Sequence, residues 1–470
     1  MLPESLPRVA DESAESPFPT AARMRSQSER VALGRLARAS VPLAEHAIWS
    51  PAEDRPDPVG LLQAGDATRL PKLVPIRYGR MSASAFAFLR GSAVIMASDL
   101  ATLPRSELPA QLCGDAHLAN FGAFGTPERN LVFDVNDFDE TLQGPFEWDV
   151  KRLAVSAYVA ARDNGFSERH CADIAHAAVH SYRKHINTYA ELGYLEIWYS
   201  HVGAQEVVDG MPASARAATA HVMAKAHHSD SLHELQKLTG VQAGQLRIID
   251  TPPLVEHEPD QDGQVSRLLR TLMREYLASL PEDRRALLLR YNYVDFARKV
   301  VGVGSVGTRC FIVLLMGATL QDPLILQIKE AGASVLEQYF TPSRYAQHGR
   351  RIVRGQQLMQ AASDIFLGWG HLAPTHYYIR QLRDMKASID ITKLTAKDLH
   401  AYGGLCGWAL ARAHARSGDP AQISGYIGHN EVFEDAVLSF TQSYADQNER
   451  DFEALKAAIA GGAVQADESA

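Results

Sequence analysis

Cysteines, basic runs and long apolar stretches are all scarce in this 470-residue sequence. The four cysteines (Cys113, Cys171, Cys310 and Cys406) are far apart and form no C-x-x-C pair. This excludes a common zinc site and a disulfide framework, and it is typical of a reducing compartment. No apolar run approaches the length of a membrane span, and the acidic, proline-rich start has no apolar segment of a secretory signal. We therefore expect a cytoplasmic protein without a membrane partner.

Positive charge is also thinly spread, and the formal net charge is -8. A chain of this kind is not suited to nucleic acid, so we predict no nucleic-acid partner. Any pocket for a polyphosphate would need its own local basic groups. Arg77, Arg80 and Arg90 lie in a segment with helical periodicity and would either face such a ligand or form a solvated rim. Nothing in the sequence indicates an oligomeric state.

The most informative stretch is QLCGDAHLANFG, which starts at Gln111. It places Asp115 five residues before Asn120, the spacing of a phosphotransferase catalytic loop. In that loop the aspartate accepts the proton of the attacking hydroxyl and the asparagine binds magnesium. His117, between them, is expected to pack or to bond the backbone, with a role as base as its alternative. The other reading of the whole loop is an Asx-rich turn that satisfies local backbone groups.

A hairpin follows this loop, with a turn at 125–127 and a short strand at 131–135. It would fold the chain back and bring Asp137 next to the loop. An aspartate followed by phenylalanine after a strand is the second metal ligand of the same scheme. We predict Asn120 and Asp137 as magnesium ligands, with Asp139 or Asp134 as substitutes for Asp137.

A second motif lies almost two hundred residues later. Gly302, Gly304 and Gly307 form a G-x-G-x-x-G with Ser305 inside it. In a dinucleotide fold such glycines open a helix, but here a strand-like TRCFIVLL follows them. Two strands joined by a glycine-rich turn are typical of the lid that kinases place over ATP, and the backbone amides of the lid hold phosphate oxygens.

The next strand, PLILQIKEA, ends near Lys329 after alternating apolar residues. A lysine at this position in kinases contacts the α and β phosphates of ATP and pairs with a glutamate of the following helix. We predict Lys329 as that lysine and Glu337 as its partner, with Glu330 as the second choice. A solvent-exposed lysine at a strand end is the alternative.

The order of the two motifs is the reverse of that in kinases. Because termini and chain breaks at a surface tolerate rearrangement, a circular permutation is physically reasonable. We predict an α+β, protein-kinase-like two-lobed fold, circularly permuted, with a large helical lobe and a small antiparallel-sheet lobe. The predicted units are a mobile arm (1–60), a helical lobe with the catalytic loop (61–290), a nucleotide-clamping β lobe (291–390) and C-terminal helices that return to the helical lobe (391–470).

The sequence resembles the bacterial domain-of-unknown-function family 2252 in CGDAHLANFG, VFDVNDFDE, GVGSVGTR, QIKEA and GQQLMQAASDIFLGW. The catalytic stretch is also similar to the aminoglycoside and choline phosphotransferase group, whose pattern is His-Gly-Asp-x-x-x-x-Asn. Cys113 replaces the leading histidine of that pattern. The second likeness implies that Asp149 braces the catalytic loop.

Together these patterns predict an ATP- and Mg²⁺-dependent phosphotransferase that acts on a hydroxyl of an unidentified, small acceptor. Asp115 would be the general base. Lys329 would neutralise the phosphates, and Glu337 would orient Lys329. The three glycines and Ser305 would close over the nucleotide. Three alternatives stay open: a nucleotide-binding pseudokinase or regulatory module, an enzyme that transfers AMP, and a metal-dependent hydrolase built on Asp115, His117, Asp134 and Asp137.

Overall fold

A computed structural model describes residues 25–227, 231–242, 244–260, 263–372, 374–382, 385–386 and 389–468. This described part is a mixed α+β structure with 54% of its residues in helices. The helices of the described part are α1 (Gln27–Ser40), α2 (Pro58–Ala64), α3 (Val74–Met81), α4 (Ala85–Gly91), α5 (Ala93–Leu100), α6 (Glu147–Asp163), α7 (Glu168–Ala190), α8 (Tyr194–Tyr199), α9 (Ala204–Gly210), α10 (Ala213–His227), α11 (Ser231–Leu238), α12 (Gln264–Ser279), α13 (Glu282–Leu288), α14 (His348–Met359), α15 (Ala396–Ser417), α16 (Pro420–Ile427) and α17 (Val432–Ala460). Short 3-10 turns connect several of them.

The strands form small antiparallel sheets. They are β1 (Pro109–Leu112), β2 (Phe121–Gly125), β3 (Leu131–Val135), β4 (Leu142–Pro145), β5 (Val202–Gly203), β6 (Thr239–Gln242), β7 (Gln245–Ile248), β8 (Val255–Glu256), β9 (Asn292–Lys299), β10 (Cys310–Met316), β11 (Pro323–Ala331), β12 (Gly368–Leu372) and β13 (Thr375–Gln381). The sheet predicted in 291–390 is six-stranded, in the order β12-β13-β11-β10-β9-β8. It takes β8 from before that range.

Helix α6 is the central element of the helical part. Residues 147–161 of this helix are all buried, because α4, α7, α15 and α17 pack around it. Helices α7 and α15 approach very closely where Gly407 faces Ala178. A Cβ atom at Gly407 would lie 2.1 Å from the Ala178 carbonyl oxygen, so only glycine fits there. Most of the large apolar core lies in this region.

The six-stranded sheet has two different faces because successive side chains of a strand alternate. Leu324, Leu326 and Ile328 of β11 belong to the apolar cluster that includes Leu272 and Tyr276 of α12. Lys329 follows Ile328 and therefore belongs to the opposite face. The alternation in the sequence thus places a buried lysine on the side of the sheet that faces the helical part.

Two short sheets shape the segment from 109 to 145. The strand β1 pairs with β4, and the hairpin of β2 and β3 lies between them in the chain, with Phe121 opposite Val135. The predicted strand at 131–135 is present with the same bounds. This arrangement brings the loop after β1 and the loop after β3 to the same end of the hairpin.

Part of the segment predicted as a mobile arm is folded onto the rest of the chain. Residues 27–40 form α1, which packs against α16, and Arg55 pairs with Asp99 and Asp451 at 2.7 and 2.6 Å. Helix α1 can approach α16 so closely because Gly34 has no side chain: a Cβ there would lie 2.0 Å from the Gln422 carbonyl oxygen. Residues 1–24 of the predicted arm lie outside the described residues. In the described part of the chain, none of the helices has the length and apolar character needed to cross a membrane.

Candidate functional site

The loop after β1 is fixed by hydrogen bonds to the N-terminal turn of α6. Asp149 accepts hydrogen bonds from the backbone N–H groups of Cys113 at 2.8 Å and Gly114 at 3.0 Å. Gly114 has φ +84°, and a Cβ there would meet the Glu140 carbonyl oxygen at 2.3 Å. His414 of α15 lies 3.3 Å from the same carboxylate. The brace that the resemblance implied for Asp149 is therefore present as a pair of hydrogen bonds.

Asn120 is fixed on the same loop. Its side-chain N–H donates to the Asp115 carbonyl at 2.7 Å, and its own carbonyl accepts from the Asn136 N–H at 2.8 Å. The second bond ties this loop to the residue before Asp137. The amide oxygen of Asn120, which is the atom a metal ion would bind, is not the atom used in the bond to Asp115.

The carboxylate of Asp115 is engaged by Arg152 of α6. Its Oδ1 accepts from Arg152 Nε at 2.9 Å and lies 2.8 Å from Nη2. Burial raises the pKa of Asp115 above its ordinary value, although the charge of Arg152 opposes this effect. Oδ2 is the other oxygen, and it lies 3.7 Å from His117 Nε2.

His117 lies beside Asp115 in surroundings that disfavour its charged form. Its side chain is buried, and burial together with the charges of Arg90 and Arg152 holds its pKa well below the ordinary value. It contacts the ring of Phe86 edge to face. These contacts agree with the packing role that we expected from the sequence.

Asp137, Asp139 and Lys329 form one cluster, in which the lysine is buried and the two carboxylates are partly exposed. Lys329 is 3% exposed, and its Nζ donates to Asp139 Oδ2 at 2.7 Å. The Tyr378 hydroxyl donates to Oδ1 of Asp139 at 2.8 Å, and Ser305 Oγ donates to Oδ2 at 3.2 Å. Asp139 is thus surrounded by donors that come from three strands and loops of the sheet.

The two carboxylates of this cluster differ in their ease of ionisation. Burial and the charge of Asp139 raise the pKa of Asp137. Burial also opposes the ionisation of Asp139, but Lys329 and the Tyr378 hydrogen bond outweigh it and hold that pKa below its ordinary value. The charges of Asp137 and Asp139 outweigh burial at Lys329 and raise the pKa of the amine. The negative charge of Asp139 is therefore well compensated by its neighbours, whereas that of Asp137 is not.

The predicted pairing of Lys329 with Glu337 is wrong. Glu337 lies on the 3-10 turn Val335–Gln338, accepts from the Ser334 N–H at 3.2 Å and pairs with Arg351 at 3.5 Å. The short turn keeps Glu337 with its own backbone, whereas the loop after β3 brings Asp139 to the amine of Lys329. Glu330, the second choice, pairs with Arg309 at 3.1 Å.

Asp134, which we considered as a substitute metal ligand, belongs to the core. It is fully buried, and Arg412 Nη2 contacts its two oxygens at 2.7 and 2.6 Å. Strand alternation places it on the face of β3 that packs on α15. Within the described ranges, no group of three or more His, Cys, Asp or Glu side chains is arranged to hold a metal ion. Of the four residues of the hydrolase alternative, Asp115, His117 and Asp137 border one cavity, and Asp134 lies apart from them in the core.

The glycine-rich turn joins β9 and β10 as predicted, and these strands are paired from Phe311 opposite Arg298. Gly302 has φ +72° and Gly307 has φ +94°, conformations that favour glycine. The turn is covered by residues 58–100, which comprise α2 to α5 and which we call the cap. Arg80 of the cap donates to the Gly302 carbonyl at 2.7 Å, and the Leu70 N–H donates to the Gly307 carbonyl at 2.7 Å.

A cavity of about 450 Å³ lies where these parts meet. Predicted residues in its wall are Asp115, Asn120, Asp137, Asp139, Gly302, Gly304 and Ser305. Gly307 packs against Arg69 behind the turn, Lys329 reaches the cavity only through its bond to Asp139, and Glu337 is placed elsewhere. Residues that are far apart in the chain therefore share one chamber of the size that small ligands occupy.

Several residues of this site were not found by sequence reasoning. Arg152 holds Asp115, Tyr378 holds Asp139, and Arg69 joins Arg77 and Arg90 in the cavity wall. The spacing of Asp149 and Arg152, three apart in the first turn of a helix, placed both on the side that faces the loop. That was the available signal for Arg152. Tyr378 and Arg69 had none, since they meet the site only through tertiary packing.

The protein is thus an α+β protein in which an aspartate-containing loop and a glycine-rich turn line one cavity. A buried lysine, Lys329, is bonded to Asp139 in the wall of that cavity. The profile of the family described as "Uncharacterized protein conserved in bacteria (DUF2252)" matches residues 69–458. The chain belongs to this family. No curated protein and no solved structure matches it.

Proposed function

We propose that this chain is an ATP- and Mg²⁺-dependent phosphotransferase for a hydroxyl acceptor, built on a circularly permuted kinase-like arrangement. The observation that supports it most is the meeting of Asp115 and Asp137 with the glycine-rich turn at one cavity. These elements are far apart in the chain and in reversed order. Polar residues of an ordinary turn would not be expected to lie beside both a glycine-rich turn and a strand that carries a buried lysine.

The sheet provides independent support. The glycine-rich turn joins β9 and β10, and Lys329 lies on the adjacent strand β11, opposite Cys310 of β10. This is the order of lid and lysine that kinases use to hold ATP phosphates. The proposal assigns the phosphates to the space between Gly302–Ser305 and the Asp137–Asp139 loop.

Transfer would proceed in line. A lone pair of the acceptor oxygen forms a new bond to the γ-phosphorus of ATP, while the bond from that phosphorus to the β,γ-bridging oxygen breaks. ADP leaves with the electron pair of the broken bond, and the hydroxyl proton passes to Asp115. Burial raises the pKa of Asp115, which makes its carboxylate a better proton acceptor.

The residues present fit a magnesium ion. Asn120 and Asp137 offer hard oxygen donors in the cavity wall, and Mg²⁺ usually takes one or two carboxylates together with substrate phosphates. Bound there, the ion would neutralise phosphate charge. The raised pKa of Asp137 reflects a carboxylate that lacks sufficient positive charge around it, which a cation would supply.

Lys329 needs a different partner in the nucleotide complex. It is bonded to Asp139 at 2.7 Å in the chain alone, so it must exchange this carboxylate for phosphate oxygens. Asp139 can then serve the metal, as we predicted from the sequence. The proposal therefore includes a switch of partners within the Lys329, Asp139 and Asp137 cluster on binding.

The test is a calorimetric titration of Mg·ATP into the wild type and Lys329→Ala. We expect binding to the wild type and at least a roughly tenfold weaker Kd for the variant, because the phosphates lose a buried cation. Lys397→Ala, an exposed lysine at the start of α15, is the matched control and should bind as the wild type does. Absence of Mg·ATP binding by the folded wild type would disprove the proposal.

A nucleotide-binding regulatory module is the second candidate, and one observation favours it. Arg152 contacts Oδ1 of Asp115 at 2.9 and 2.8 Å, and a carboxylate held this way is a weaker base. The candidates are separated by a long incubation of the protein with small metabolites from a cell extract and with ATP that is labelled either at the α or at the γ phosphorus. Transfer of the γ label supports the phosphotransferase, transfer of the α label indicates an AMP-transferring enzyme, and tight binding without either indicates the module.

A further inference from the structure

Three arginines of the cap line the cavity, and two of them have partners within the protein. Arg77 pairs with Asp66 at 3.1 Å and donates to the Gly91 carbonyl at 3.1 Å. Arg69 lies 3.6 Å from the same aspartate and donates to the Val306 carbonyl. Their charges are thus used to fix the cap on the glycine-rich turn.

Arg90, at the end of α4, is different. Among the described residues, no carboxylate oxygen lies within 4 Å of its guanidinium nitrogens, and its buried Nε has no hydrogen-bond partner. Its contact is the ring of Phe86, 5.9 Å from the guanidinium carbon. A largely buried cation without an ion pair lowers the stability of the fold, because its desolvation is not compensated. The presence of Arg90 at this position therefore points to a negative group of a ligand.

The position of Arg90 identifies that group. Its backbone carbonyl backs the glycine-rich turn, because a Cβ at Gly304 would lie 3.3 Å from this oxygen. Its side chain is close enough to the catalytic loop for its charge to act on both Asp115 and His117. Arg90 therefore stands between the turn that would hold the phosphates and the base that would receive the acceptor proton.

We propose that Arg90 is a catalytic arginine, supplied in cis by the cap, that contacts the phosphoryl group during its transfer. This inference rests on the proposed function and adds to it a residue from a segment outside the kinase-like motifs. A guanidinium placed there neutralises the charge that develops on the equatorial oxygens of the phosphoryl group, and in other phosphotransferring proteins such a finger is worth about 10³–10⁵ in rate. The group transferred and the bonds broken are those given above.

The test uses a mimic of the transferring phosphoryl group, so it does not require the acceptor. Titration of Mg·ADP into the full chain is carried out with and without fluoroaluminate, for the wild type, Arg90→Gln and Arg90→Lys. We expect fluoroaluminate to tighten ADP binding at least about tenfold in the wild type. Arg90→Gln should bind Mg·ADP alone within about threefold of the wild type and lose the tightening, and Arg90→Lys should keep a part of it.

Arg35→Ala serves as the matched control, since Arg35 is an exposed arginine on α1 far from the cavity, and it should behave as the wild type. A thermal melt of each variant checks that it is folded, and Arg90→Lys replaces Arg90→Gln if the latter is not. Equal tightening in the wild type and the Arg90 variants, or no tightening in a wild type that binds Mg·ADP, overturns the role of Arg90 alone. A folded wild type that binds no Mg·ADP overturns the proposed function and this inference together.

Discussion

Asp134 and Asp137 are three residues apart at the end of one hairpin, but they belong to two electrostatically different regions. Asp134 faces the helical core, where Arg412 contacts both of its oxygens and neither side chain is exposed beyond 1%. Asp137 faces the cavity, where burial and the neighbouring Asp139 raise its pKa. Asp134 is thus paired directly with an arginine, whereas the charge of Asp137 is incompletely compensated by its neighbours.

The same contrast holds for the cations. Arg412 is bound to Asp134, and Arg183 is bound to Glu434. In the cavity wall, Arg90 has no such partner in the described part of the chain. Removing one partner of a buried pair in the core is expected to destabilise the fold, whereas a cavity-wall charge without an ion pair is a candidate for contact with a ligand. The following variants test this distinction.

Asp134→Ala should show the largest loss of stability. It leaves Arg412 as a buried charge without its carboxylate, which costs about 3–5 kcal/mol in comparable pairs. Urea unfolding followed by circular dichroism measures the change in the free energy of unfolding. The double variant Asp134→Ala, Arg412→Met should regain a large part of the loss. A decrease of less than about 1 kcal/mol for Asp134→Ala would show that the core pair is not essential.

Lys151, which is buried in α6, should affect the free energy of unfolding less than Asp134 does. Burial lowers its pKa to about 8 from 10.5, and Glu147 only partly opposes this. A lowered pKa means that the unfolded chain binds the proton more tightly, so stability rises as the pH increases from 8 to 10.5. The shift corresponds to about 3 kcal/mol. We expect this rise in wild-type unfolding free energy, relative to Lys151→Met, across that pH range.

In Lys151→Met the buried charge is absent, so the variant should also be more stable than the wild type below pH 8. Unfolding in urea at pH 7.5 and pH 10 provides both comparisons. Parallel pH profiles of the two proteins would mean that the lysine is as well solvated in the folded chain as in the unfolded one.

Asp137→Asn should have the smallest effect on stability. Its charged form is already disfavoured by burial and by Asp139, so a neutral side chain of the same shape should change the free energy of unfolding by less than about 1 kcal/mol. The same variant should weaken Mg·ATP binding, because the carboxylate proposed to bind the metal is lost. A loss of stability as large as that of Asp134→Ala would place Asp137 among the structural residues.

Much of the local structure was readable from residue types. The turn at 125–127, the strand at 131–135 and the two strands around the glycine-rich turn follow from glycine, proline and alternating apolar residues, and all are present. The alternation in β11 also determined that Lys329 lies on the face away from α12. These features depend on interactions within a few residues, which is why a pattern in the sequence is sufficient to predict them.

The partners of the charged residues were decided by the tertiary structure alone. Sequence proximity favoured Glu337 for Lys329, but the fold brings Asp139 from 190 residues away. The sequence equally allowed Asp134 as a metal ligand until α15 placed Arg412 against it. An ion pair depends on which elements pack together, and packing is a property of the whole chain.

The sequence by itself determined the family motifs, the local strands and turns, and the types of chemical group available at the site. The tertiary structure decided which of those groups share a cavity, which are neutralised in the core, and that the cap places Arg90 beside both motifs. The physical reason is the range of the interactions: backbone preferences act locally, whereas burial and charge pairing join residues that the chain order keeps apart.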